Sequence, residues 1–332
     1  MRAVSPLIGL VIVLLLGSLI LNAAIFQLYN ENRAQVIAAA DRALMTRAEY
    51  IAEAVDRTLQ TRMVETFTFA ALPSLRGFAA SDAAGRVVRA PVASDELRAI
   101  VAADDQIRAA SIVDPNGRVV MTTSDAILAD WSERGFVREA MRGQLFASVP
   151  ARDGGEVSTY YSAPILNNAG QVASALVLRV SAQELVSVLG SFSDIMLIDE
   201  EGVRIIDRTT KPQSFVALAP LTAEAMTRAL SQRRYGAEIT QINATNLVTL
   251  RDEIARGRSS PIVYTDGATM HAGTRRLRTN LWTVVVVQSA EAMAQPARDT
   301  LGAIIITAAL SIMVALVIGF LLGRVLRPAE KK

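Results

Sequence analysis

The chain has 332 residues, with 34 Lys and Arg against 32 Asp and Glu, so its formal net charge is only +2. A sequence pI of about 9.1 is not accompanied by a basic stripe with interleaved aromatics, which argues against a nucleic-acid partner. Absence of cysteine excludes disulfides and thiolate metal sites. A single histidine, His271, excludes a His-rich metal centre or a phospho-accepting histidine domain, and no phosphate-binding glycine loop or nucleophile motif calls for a cofactor or an enzyme.

The mean hydropathy of +0.31 is carried largely by two apolar runs. The first extends from Leu7 to Leu21, and on to Leu28, with Ser18 and Asn22 as polar interruptions. The second, Leu301 to Gly323, has no charged residue. Each is long enough to cross a hydrocarbon core of ~30 Å as a helix. Residues 1–28 and 299–323 are therefore expected as transmembrane helices. Arg2 precedes the first, while Arg324, Arg327, Lys331 and Lys332 follow the second, which places both termini in the cytoplasm and the intervening chain outside. A cleaved signal peptide ending near Ala23 is the alternative for the first run, and the helical pattern continuing through that point opposes it.

Between Gly17 and Pro73 there is neither Gly nor Pro, and Ile37, Leu44, Ile51, Val55, Leu59 and Met63 recur at helical intervals. Residues 29–75 are expected as one long stalk helix. Ile37, Leu44 and Ile51 form a heptad-like stripe that either pairs with a second copy, giving a homodimer, or packs on the chain's own domain.

After Pro73 the pattern changes to short alternating runs with turn signals. Residues 109–124 read as a hairpin around Asp114-Pro115-Asn116-Gly117, and residues 194–210 repeat it around Asp199-Glu200-Glu201-Gly202. A later strand follows each hairpin, within residues 165–185 and 274–294, so the pattern is a tandem duplication: a module at 76–190 and another at 191–298. In the first, LADWSERGFVREAMRGQ (128–144) sets Trp131, Arg134 and Phe136 just before a helix-like run.

ERGFVREAMRGQ, together with YYSAPILNNAGQVASALVLRV (160–180), resembles the double Cache sensor of bacterial chemoreceptors and sensor histidine kinases. GRVLRP (323–328) is similar to the entry of a HAMP linker, which makes 324–332 a cytoplasmic HAMP-like stub. The resemblance implies an α+β fold: a long N-terminal helix, then two tandem PAS-like modules with antiparallel sheets, between two membrane helices. It also implies a periplasmic ligand domain in the cytoplasmic membrane, signalling to an output module in cis or in trans.

In that family the arginine matching Arg134 holds a ligand carboxylate, and the resemblance gives Trp131 and Phe136 the role of apolar walls. A guanidinium fork matches a carboxylate and keeps its charge when desolvated. A surface ion pair of Arg134 with Glu133 or Glu139 is the plain alternative. Tyr160 and Tyr161 are adjacent on a predicted strand and point to opposite faces, so only one can line a pocket. Thr122 and Ser124 are candidate hydroxyl donors. Amino-acid receptors of the family carry an aspartate where this chain has Arg179, and a tryptophan-tyrosine pair where it has Phe136 and Val137. These departures favour an anion, such as a dicarboxylate between Arg134 and Arg179, over an amino acid; an outward Arg179 paired with an acid is the competing reading. Asp199 to Glu201 read as a solvated acidic turn. The functional expectation is a ligand-gated receptor, and the alternative is a membrane-anchored protein whose ectodomain binds a periplasmic protein.

Overall fold

A computed structural model describes residues 6–124, 130–190, 194–257 and 260–325. The chain forms two compact units, one made of Met1–Ala43, Gly267–Met270 and Gln288–Lys332, the other of Leu44–Asp266 and His271–Val287.

The first unit holds the start of helix α1 (Pro6–Ala70) and helix α8 (Ala290–Val325). Among the described residues no helix is long and apolar enough to cross a membrane. The expected spans rest on the sequence, and many side chains of residues 6–15 and 303–325 lie outside the described ones. Among those that are described, Leu19, Ile20, Phe26, Ile306, Leu316 and Phe320 are exposed. The stub expected at 324–332 falls outside the described residues from 326 onward.

The second unit is α+β. From Leu44 on, α1 buries Leu44, Ala48, Ile51, Ala52, Val55 and Leu59 along one stripe. Leu44 and Ile51, two of the three heptad-like positions, are thus spent on the chain's own domain and are not available to a second copy. Helix α2 (Pro73–Ala79) starts on its proline, and α3 (Ala83–Ala103) on the Asp82 cap, which accepts the Gly85 N–H at 2.8 Å. These two helices replace the short alternating runs expected directly after Pro73. Pro91 signals a break, yet it is exposed and the helix continues through it. The continuation is stabilised because Ala93, Leu97 and Ile100, at helical spacing, bury the second half of α3, which packs on the first strand.

That strand, β1 (Ile107–Val113), opens the first sheet, with β2 (Val119–Thr122), β3 (Phe146–Ala147), β4 (Ala151–Asp153), β5 (Glu156–Leu166) and β6 (Val172–Ser181). Its order is β2-β1-β6-β5-β3, with β4 also on β5. Helix α4 (Gly135–Met141) lies between β2 and β3 in the chain, and α5 (Gln183–Val188) follows β6. The second sheet contains β7 (Ile195–Ile198), β8 (Val203–Asp207), β9 (Val216–Ala217), β10 (Ile262–Asp266), β11 (Ala268–Arg276) and β12 (Thr283–Ser289), in the order β10-β11-β12-β7-β8-β9. Helices α6 (Ala223–Ser231) and α7 (Val248–Ala255) connect β9 to β10.

The two hairpin turns share one device. Asp114 Oδ1 accepts the N–H groups of Asn116 and Arg118, and Asp199 Oδ1 those of Glu201 and Val203. Gly117 and Gly202 then take φ values of +83° and +82°, which an L side chain resists.

Two polar groups of α1 tie the sheets to it. The Asp56 carboxylate accepts the main-chain N–H groups of Arg278 and Thr279, at 2.9 Å for the shorter contact to each. Arg62 donates to Glu65, Asp104 and Glu184, each at 2.7 Å in its closest contact. The α1 backbone also passes directly over β11: a Cβ on Gly273 would lie 2.4 Å from the Leu44 carbonyl carbon. Substituting Gly273→Ala is expected to lower stability by about 1–3 kcal/mol through overpacking. Thermal unfolding of the detergent-solubilised chain measures this, and an unchanged midpoint would refute the close approach.

Candidate functional site

Register decides which face of the first sheet carries the site. Ser111, Val177 and Ser162 lie opposite one another across β1, β6 and β5, as do Arg179 and Tyr160. Strand alternation puts Val177 and Arg179 on one face. Val177 packs in a cluster with Trp131, Tyr160, and Phe136, Val137 and Ala140 of α4, so this is the face that α4 covers. The Ser162 hydroxyl donates to the Phe136 carbonyl at 2.7 Å and fixes the first turn of α4. Tyr161 points to the other face, fully buried, with its hydroxyl unpaired among the described residues. Burial, and then the nearby Glu184, push the Tyr161 pKa up.

Trp131, Phe136 and Tyr160 form a tight aromatic cluster. Phe136 and Tyr160 stack at 4.8 Å, and Trp131 meets them edge-on at 5.4 and 5.9 Å. The Arg134 guanidinium lies 5.2 Å from the centroids of both Phe136 and Tyr160 and is only 5% exposed. Its counter-ion is neither Glu133 nor Glu139. Arg134 donates to Asp153 Oδ2 at 2.9 Å, and the Tyr160 hydroxyl donates to the same oxygen at 2.9 Å. Asp153 Oδ1 accepts the Ala237 N–H at 2.7 Å. Burial alone would raise the Asp153 pKa, but the Arg134 charge and these three donors outweigh it and hold the carboxyl below its usual range.

Arg179 is also buried, which removes the reading of it as an outward residue. It donates to the Asp153 carbonyl at 2.6 Å and to Ser158 Oγ at 3.0 Å, with Glu156 at 3.6 Å. The two arginines do converge, and the group between them is the chain's own Asp153. Thr122 and Ser124 are not brought to this cluster. Thr122 is exposed on β2, at the sheet edge three strands from β5, where it accepts from Ser111 at 2.9 Å and from the Ser124 N–H at 3.2 Å.

A cleft of about 260 Å³ opens beside Arg134 and Phe136. One wall is Arg134–Phe136 and Phe146–Val149; the other is Gln232–Arg234, Arg278–Trp282 and Glu200. The second wall belongs to the part of the chain that carries the second sheet, so both halves of the unit line the cleft. They are stitched together at its base. Arg152 N–H donates to the Tyr235 carbonyl at 2.8 Å, Gly155 N–H to Glu238 Oε1 at 2.6 Å, and Gly236 sits so close to Arg152 that a Cβ would lie 2.0 Å from its carbonyl oxygen.

Asp199 is likewise not the solvated acid expected from its turn. Its Oδ2 accepts from the Tyr235 hydroxyl at 2.6 Å and from Arg234 at 3.2 Å, and burial raises its pKa. Glu200 pairs with Arg234 and Glu201 with Arg228. Asp153, Arg278 and Thr279 were not singled out from the sequence. Asp153-Gly154-Gly155 carried a signal, since Asp followed by two glycines marks a hairpin tip, but an acid there reads as solvated.

Two sheets in tandem and one long helix frame a buried arginine in an aromatic cluster. The Cache domain family profile, dCache_1, matches residues 30–297, and the chain belongs to that family. The sensor domain of the Vibrio cholerae histidine kinase DctB superposes with a TM-score of 0.61 at 12% identity, over 76% of this chain and 98% of that one. The ligand-binding domain of the Campylobacter jejuni chemoreceptor Tlp3, in complex with L-valine, gives 0.52 at 13% identity, over 79% and 97%. The Tlp3 sensory domain with isoleucine bound gives 0.52 at 12% identity, over the same shares. No curated protein matches in sequence at a significant level. Cache domains of this kind are ligand-binding, not catalytic, and serve as extracellular sensor domains of membrane receptors.

The Arg134–Asp153 pair can be tested by pH. A carboxyl depressed in the folded state stabilises fully above its unfolded pKa of ~3.9, and that contribution fades as pH falls through the folded value. Asp153→Asn leaves a buried guanidinium uncompensated and is expected to cost about 3 kcal/mol at neutral pH. The gap to wild type should stay constant down to about pH 5 and close below about pH 4. Denaturant titrations across that range report it; a gap that persists at the acid end would assign the loss to packing.

Proposed function

We propose that the chain is the sensory part of a two-pass receptor in the cytoplasmic membrane. Its modules at 76–190 and 191–298 lie in the periplasm, and Arg134 takes the carboxylate of a small ligand. One observation carries this reading. Arg134 is buried and flanked by aromatic rings, meets Asp153 through a single N–H, and borders a cleft. A desolvated guanidinium with further donors to spare is suited to an incoming carboxylate. The volume of about 260 Å³ fits a small metabolite, being below the ~300 Å³ at which drug-sized sites begin.

The membrane assignment rests on the two apolar runs, the basic residues after the second, and the exposed apolar side chains of α1 and α8. The stub at 324–332 resembles a HAMP entry, so the output is a cytoplasmic module in cis or in trans. Amino acids stay within the ligand class because the Tlp3 domain has been crystallised with them; Arg179 in place of an acid favours anions lacking an ammonium. A homodimer would meet through Tyr50, Val64 and Phe67, which are exposed on α1, since Leu44 and Ile51 are buried. The alternative, a membrane-anchored binder of a periplasmic protein, is favoured by Val87, Val88 and Val92, exposed together on α3.

The test is a thermal-shift titration of the full chain in nanodiscs with carboxylates and amino acids. A ligand at 100 times its dissociation constant stabilises by ~2.7 kcal/mol, and Arg134→Ala is expected to weaken binding at least tenfold. Equal affinity in Arg134→Ala would remove Arg134 from the site, and binding confined to a protein captured through the α3 valines would favour the alternative.

A further inference from the structure

We infer that the ligand's seat is the cleft between the two modules, where a small anion bridges Arg134 on one wall to Arg278 and Thr279 on the other and competes with Asp153 for Arg134. This rests on the reading of Arg134 as a carboxylate receptor and goes further: it moves the site out of the first module's interior, names the second wall and supplies a regulator.

Space is the first argument. Beneath α4 the sheet face is filled by Trp131, Phe136, Val137 and Tyr160, each at most 4% exposed and with ring centroids 4.8 to 5.9 Å apart. A ligand placed there would have to displace a close-packed core. The cleft reaches Arg134 without disturbing the cluster.

Chemistry of the facing wall is the second. Arg278 is 75% exposed at its side chain and meets Glu53 only at 3.8 Å, so its guanidinium is loosely held. Its main chain, in contrast, is fixed, because the Arg278 and Thr279 N–H groups are bound by Asp56. The Thr279 hydroxyl is buried without a hydrogen-bond partner among the described residues, an arrangement that costs stability unless something meets it. Arg233 adds a further cation to the lining. The one acid in the lining, Glu200, is committed to Arg234 at 2.6 Å. The side-chain donors lining the cleft are therefore cationic on both walls, with the amides of Gln232 and Asn280 and the Thr279 hydroxyl on the second.

Exchange at Arg134 is the third. Asp153 engages one terminal nitrogen of Arg134, and the rest of the fork makes no hydrogen bond among the described residues. A ligand carboxylate entering from the cleft can take the open edge and then replace Asp153 outright, because one carboxylate substitutes for another and Arg134 is never left uncompensated. Asp153 also accepts the N–H of Ala237, three residues beyond the Gln232–Arg234 part of the other wall. Its release would therefore loosen the stitch between the modules, so occupancy and the inter-module contact are linked.

The experiment uses the full chain in nanodiscs and titrates acetate, unbranched dicarboxylates of three to six carbons, and inorganic phosphate, read by thermal shift and calorimetry. Asp153→Asn removes the internal competitor and is expected to bind the anions at least tenfold more tightly. Its stability deficit should shrink as anion is added. Arg278→Ala and Thr279→Val, which leave the Asp56 contacts to main-chain N–H groups in place, are expected to weaken a dicarboxylate about tenfold while leaving acetate unchanged. Phosphate in place of the carboxylates, with the same pattern of variants, would keep the site and reassign the anion. Wild-type affinity in Arg278→Ala and Thr279→Val, or no gain in Asp153→Asn, overturns the cleft while leaving the Arg134 reading intact. Anion binding that survives Arg134→Ala overturns that reading itself.

Discussion

Everything in the second unit is hung on one side of a single helix. From Leu44 to Ala70, α1 presents small and aliphatic side chains toward the sheets, and their burial supplies most of the adhesion. Specificity comes from two charged residues a turn and a half apart. Asp56 faces the loop of the second module and is satisfied by main-chain donors. Arg62 faces the first module, where burial would lower its pKa but the hydrogen bonds it donates to Glu184, Glu65 and Asp104 outweigh that and raise it. A cation shared among three acids is sensitive to the position of each. The helix therefore fixes the register of both modules at points where a shift would leave a buried charge uncompensated.

A second constraint acts at right angles to the first. Asp153 is one residue serving two modules, since its carboxylate neutralises Arg134 and accepts the Tyr160 hydroxyl on its own side and accepts a main-chain donor from Ala237 on the other. Two residues before Ala237, Tyr235 donates to Asp199, the acid that shapes the β7–β8 turn. β7 pairs with β12, and β12 is followed at once by α8. This is a continuous chain of short polar contacts and one strand pair. Contiguity is not coupling, and it becomes coupling only if a ligand binds two arrangements of Asp153 with different affinity.

The sequence made local features legible and left relational ones open. Both Asp-x-x-Gly hairpins could be read because the aspartate, the glycine and the turn they build lie within four residues. Trp131, Arg134 and Phe136 stood out for the same reason. The heptad-like stripe of Leu44 and Ile51 was ambiguous because a helix packing on its own sheets and one packing on a twin show the same spacing; only the fold decides between them. The short alternating runs expected directly after Pro73 gave way to helices, since the pattern does not show that Ala93, Leu97 and Ile100 are buried together. The face carrying Arg179 needed the position of α4, which no strand pattern contains. Asp153 was invisible as a partner because the groups that meet its carboxylate include the Ala237 N–H, more than eighty residues away, and an acid beside two glycines reads as solvated.

That last misreading points to what the site is built to do. An arginine 5% exposed in an aromatic cluster is expensive unless a carboxylate meets it, and this chain supplies the carboxylate from the last residue of β4, next to a tip with two positive-φ glycines, Gly154 and Gly155. No internal partner at all would leave the charge uncompensated. A partner at the end of β4, beside the glycine-rich tip, compensates the arginine, and in the proposed exchange the incoming group repeats its chemistry. The same tip is stitched to the second module through Glu238 and Ala237, so in the proposed receptor the element that gives way at the ligand is also the one that would register its arrival.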